Sequence, residues 1–82
     1  MRQYVLILMG MKTHIAVLQW RRMRVLTLRR GRYRGFVQET TGMRWHWWVL
    51  DIRTRSMVAS GFEDVEADAV LKVVRWLHQM TG

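Results

Sequence analysis

The chain contains no cysteine and no proline, only six acidic residues, and only two lysines, Lys12 and Lys72. The missing cysteine excludes a disulfide frame, a thiolate nucleophile and the usual cysteine-bearing zinc sites, and it fits a reducing cytoplasm. Without proline, low-complexity tracts or a Ser/Gly-rich linker, nothing divides the 82 residues, and they read as a single domain over 1–82. Long apolar runs are scarce as well. Tyr4 to Met9 spans about six residues, short of the roughly 7 to 15 of a signal core and far short of a membrane span. The expected location is therefore the cytoplasm, with no membrane partner. A domain of this size draws its stability from efficient packing or from self-association.

What the chain does have is arginine. The formal charge is +8, and it is unevenly spread. Residues 1–62 carry twelve basic side chains against Glu39 and Asp51, whereas residues 63–82 carry Lys72 and Arg75 against Glu63, Asp64, Glu66 and Asp68. Ten arginines lie between Arg21 and Arg55, threaded with Tyr33, Phe36, Trp45, Trp47 and Trp48. Guanidinium forks bind phosphate in two places and lie flat on aromatic rings, so nucleic acid is the first partner this composition implies. An arginine-biased but merely solvated surface is the alternative.

Glycines at 10, 31, 35, 42 and 61 separate short segments rich in Val, Ile, Leu, Tyr and Trp, a strand-and-turn pattern. Strands are expected over residues 4–9, 14–20, 23–28, 33–38, 45–52 and 57–60, with hairpin turns at Thr40-Thr41-Gly42 and at Arg53 to Ser56. In the strand from Trp45, period two sets His46, Trp48, Leu50 and Ile52 on one face and Trp45, Trp47, Val49, Asp51 and Arg53 on the other. The first set is wholly apolar apart from one histidine and reads as the core face. The second then carries two indoles outward. From Val65 to Met80 the period becomes helical, gathering Ala67, Val70, Leu71, Val73, Val74, Leu77 and Met80 on one arc, with Asp64 placed to cap the first turn. The expected fold class is α+β: an antiparallel sheet of three to six strands packed against one C-terminal helix.

Catalytic groupings are lacking. His14, His46 and His78 fall on three elements, none with a carboxylate three or four residues on, and Ser56 and Ser60 sit in no nucleophile elbow. The acids at 63–68 read as the charged start of a helix. Neither an enzyme, a metal site nor a cofactor is expected.

The candidate binding residues are Arg24, Arg29, Arg30, Arg32, Arg34, Arg44, Arg53 and Arg55 for phosphate, with Trp45 and Trp47 to stack on bases or wedge between them. For the segment from Arg21 to Arg34 an edge strand protected by charge is the competing reading. For the indoles it is burial under the N-terminal segment, or packing of Trp20, Trp48 and Trp76 around the sheet and helix.

Three stretches carry a resemblance. Tyr33-Arg34-Gly35-Phe36-Val37-Gln38, then Trp47-Trp48-Val49-Leu50-Asp51-Ile52-Arg53, then Gly61-Phe62-Glu63-Asp64 leading into Ala67 and Ala69, resemble the AP2/ERF-type DNA-binding domain and the AP2-like arms of phage integrases and homing nucleases. The resemblance implies a three-stranded sheet lying in the DNA major groove with a helix behind it, and contacts from Arg34, Trp47 and Arg53. It also has departures. Val37 and Glu39 stand where the family has arginines, and Met57 and Ala59 stand where its third strand has Arg and Trp.

The expected partner is nucleic acid, DNA before RNA, held on an Arg- and Trp-bearing sheet face. The alternative is a small interaction protein of the kind mobile elements encode, binding and inhibiting an acidic host protein. A homodimer is compatible with either.

Overall fold

The computed structural model describes residues 2–8, 11–20 and 23–81. Six strands follow in order: β1 (Arg2–Leu8), β2 (Met11–Trp20), β3 (Met23–Arg30), β4 (Tyr33–Glu39), β5 (Trp45–Asp51) and β6 (Ser56–Glu63). The helix α1 (Glu66–Thr81) comes last. Each strand pairs antiparallel with its neighbour in sequence, so the sheet order is β1-β2-β3-β4-β5-β6. This is the expected α+β class, with an antiparallel sheet backed by one C-terminal helix. Met9, at the end of the first expected strand, together with Gly10, Arg21, Arg22, Gly82 and the Trp20 side chain, lies outside the described residues. Among the described residues no helix is long and apolar enough to cross a membrane.

The register shows why the helix lies where it does. One cross-strand row runs Val17, Leu26, Val37, Trp47, Gly61, and a second runs Ile15, Leu28, Gly35, Val49, Ala59. These rows face α1, which packs on β3 to β6. Leu28, Val37 and Val49 are fully buried there, beneath Ala69, Val73, Val74 and Leu77 of the helix. Each large apolar side chain so covered contributes roughly 1.5–3 kcal/mol. Two glycines make room on this face, Gly35 for the helix and Gly61 for the neighbouring indole. A methyl group at Gly35 would collide with the Val73 side chain, and one at Gly61 would sit 2.8 Å from the Trp47 indole.

The face assignment expected for β5 is therefore inverted. Trp47, only 6% exposed, and Val49 belong to the core, while His46, Trp48 and Leu50 face away from the helix. The reason is local. Asp51 and Arg53 made one face look polar, but Arg53 lies in the turn after the strand, and Asp51 is buried because that turn binds it. Its carboxylate accepts the Arg53 and Thr54 amides at 3.0 and 3.3 Å and the Arg32 guanidinium at 2.7 Å.

The helix stripe is also rotated from expectation. Ala69, Val73, Val74 and Leu77 are buried, with Val70 and Trp76 packed beside them, whereas Ala67, Leu71 and Met80 stay exposed. At its start, Val65 supplies the first carbonyl acceptor, for Ala69 at 3.2 Å, and Asp64 reaches Arg44 instead.

Candidate functional site

No strand residue on the sheet face away from α1 is an acid, and Asp64, in the turn before α1, reaches only its rim, through Arg44. Glu39, Asp51 and Glu63 sit at helix-side positions of the register, and Asp64, Glu66 and Asp68 lie on α1 or in the turn before it. On this open face Phe36 is directly opposite Trp48, and His46 is opposite Phe62. The four rings form a column across β4, β5 and β6. Phe36 and Trp48 stack at 4.9 Å with 11° between planes, Trp48 and His46 tilt at 4.8 Å, and His46 and Phe62 stack at 4.6 Å with 15°. The Arg44 guanidinium closes the column, 5.4 Å from the Phe62 ring centre. Phe62 is 52% exposed, and Val5, Ile7, Leu18 and Met57 extend the uncovered apolar surface.

Arginines flank the column at one end of the sheet. The β3–β4 turn and the β5–β6 turn are joined there by the Ile52 amide donating to the Arg32 carbonyl at 2.8 Å. This end gathers Arg29, Arg30, Arg32, Arg34, Arg53 and Arg55, with Asp51 as its only acid. Asp51 is 4% exposed and engaged by Arg32. Burial pushes its carboxyl up, but the Arg32 hydrogen bond, the Thr54 and Arg53 amides and the Arg32 charge outweigh it, and the net direction is below the ordinary value. The same hydrogen bond raises Arg32. The other five arginines pair with no carboxylate among the described residues. Arg55 holds a left-handed backbone, φ 58°, a conformation that costs a side-chain-bearing residue about 1–2 kcal/mol.

The ten residues expected from sequence are thus sorted by the fold. Arg29 and Arg34 lie on the open face, and Arg30, Arg53 and Arg55 crowd the adjoining end. Arg32 belongs to the Asp51 turn and also sits 5.3 Å from the Tyr33 ring centre. Arg24 is on the helix side, paired with Glu66 at 3.3 Å, and Arg44 pairs with Asp64 at 3.6 Å while covering Phe62. Trp47 is a correction. Its indole is in the core, donating to Glu63 at 3.2 Å, and is closed to a base. Trp45 is half-buried at the edge of the same core. The open-face aromatics Phe36, His46, Trp48 and Phe62 take their place. Their signal in the sequence was the parity of Gly35, over which the helix approaches the sheet, and of Gly61, which makes room for the Trp47 indole on that same face.

Among the described residues no group of three His, Asp or Glu side chains is placed to hold a metal ion. No family model matches the chain, and no curated protein and no solved structure matches it either.

Proposed function

We propose that this is a nucleic-acid-binding protein that acts by binding rather than by catalysis, working in the cytoplasm, with DNA the first substrate to test. The observation that carries the reading is the acid-free sheet face, where an aromatic column adjoins a cluster of arginines without acidic partners. Such a surface attracts phosphate along its basic end and offers exposed ring edges to unstacked bases, a pairing of charge and aromatic surface suited to single strands. The AP2-like resemblance would set the same face in a duplex groove, now with Arg34 rather than Trp47 at the contact. The test is fluorescence anisotropy with single-stranded and duplex DNA between about 50 and 200 mM salt. Several phosphate contacts imply a loss of affinity of roughly 10³-fold or more over that range. An affinity flat in salt overturns the reading. Tighter binding to duplex than to single strands would favour the groove.

A second reading rests on the uncovered apolar side chains Val5, Ile7, Met57 and Phe62. It makes the face a protein interface, for a second copy of the chain or for an acidic host protein that a mobile-element product would block. Mass in solution tests the first. Recovery of one stoichiometric protein from nuclease-treated lysate, lost on Trp48→Ala, is the outcome that would favour the second.

A further inference from the structure

On the open face the register sets His14 opposite Arg29 and Arg29 opposite Arg34, a line of three basic side chains across β2, β3 and β4. Directly opposed like charges destabilise a sheet, so Arg29 and Arg34 are held together at a cost to folding. Neither pairs with a carboxylate among the described residues, and the face they share has no acid to offer. The line borders a cavity of about 750 Å³ whose remaining lining includes Gln3, Val5, Ala16, Leu18 and Thr27. The cavity adjoins the aromatic column, since Thr27 is opposite Phe36, but neither a ring of that column nor Arg53 or Arg55 lines it.

The geometry points to a phosphoryl seat made by His14, Arg29 and Arg34, taking the phosphate of one nucleotide unit while its apolar body lies over Val5, Ala16 and Leu18. A doubly charged oxyanion relieves the repulsion between the two guanidinium groups and accepts their forked donors, which a carboxylate-free face otherwise leaves to water. The seat rests on the nucleic-acid reading only for the source of its ligand. A free nucleotide offers it the dianionic monoester, and a strand within a polymer offers a singly charged diester whose two non-bridging oxygens still accept the guanidinium forks.

The experiment is an NMR titration of the full chain with adenosine 5′-monophosphate, inorganic phosphate and adenosine, following the His14 ring and the Arg29 and Arg34 Nε–H signals. Both phosphate-bearing probes are expected to move all three residues and adenosine to leave them in place. Arg29→Gln and Arg34→Gln should each weaken the monophosphate by roughly tenfold or more, as losing a charge-assisted hydrogen bond does. Neither variant should melt below the parent, because each removes the Arg29–Arg34 repulsion. Shifts confined to Arg53 and Arg55, equal shifts with adenosine, or no shift at the three residues overturn the seat. DNA binding measured alongside separates the two ideas: a polymer bound without the three signals moving sinks the seat alone, and a seated monophosphate with no polymer affinity sinks the nucleic-acid reading alone.

Discussion

Two adjacent indoles in β5 have opposite fates. Trp47 points to α1 over Gly61, and Trp48 points to the open face against Phe36. Trp47→Ala should lower stability by about 3–5 kcal/mol, the usual cost of emptying a buried aromatic site, measured by chemical denaturation. Trp48→Ala should leave most of that stability and weaken nucleic acid instead, by roughly 1–3 kcal/mol, because it breaks the Phe36–Trp48–His46 column that a base would abut. Equal losses of stability from both would contradict the face assignment. At Asp51 the prediction concerns pH. Its folded carboxyl lies below the ordinary value, so the stability it contributes is fully present above the unfolded value, about 3.9, and disappears as pH falls through the folded one. The stability gap between the parent and Asp51→Asn should therefore be constant above about pH 5 and close in acid. A gap that widens on acidification would reverse the sign.

For the elements, the tightest constraint is between α1 and β4. Gly35→Ala inserts a methyl group against Val73 and should cost about 1–3 kcal/mol by overpacking, read as a lower melting temperature. An unchanged melt would mean that the helix rides higher on the sheet. The helix and the antiparallel hairpins of β3 to β6 were legible in the sequence because period and punctuation are local, with Gly31 and Gly42 marking turns and the residues from Val65 onward repeating at helical spacing, whereas the joining of β1 and β2 to the sheet was not. Which sheet face α1 covers was not legible from β5. In Trp45-His46-Trp47-Trp48-Val49-Leu50-Asp51 both parities are apolar enough for a core, and the one acid is buried by a turn formed later in the chain. Neighbouring β4 resolves it, since Tyr33, Gly35 and Val37 share one parity and Arg34 and Gln38 the other. Of the candidate arginines, Arg29 and Arg34 could be found from sequence. The Arg24–Glu66 pair could not, because it depends on α1 returning across the sheet, whereas the Arg44–Asp64 pair follows from the β5–β6 register.

Over the whole molecule, charge is sorted along the strand direction. The acids at Glu63, Asp64, Glu66 and Asp68 surround the N-terminal end of α1, where the helix dipole is positive, and α1 ends towards the arginine-rich turns. Among the described residues, Arg24 and Arg44 pair with acids at that end, whereas Arg29, Arg30, Arg34, Arg53 and Arg55 at the opposite end pair with none. If phosphates run past the β5–β6 turn, the double variant Arg53→Ala, Arg55→Ala should flatten the plot of log affinity against log salt by about two units, one for each phosphate no longer neutralised. A slope unchanged by both substitutions would place the strand elsewhere on the sheet. The arrangement of the core also bears on synthesis. Every strand finds its partner in the segment just made, so the hairpins can zip up in turn as the chain leaves the ribosome, yet the sole cover for Leu28, Val37 and Val49 is translated after all six. Until α1 emerges, the face beneath it is bare, and that interval is when a chaperone or a wrong neighbour would find it.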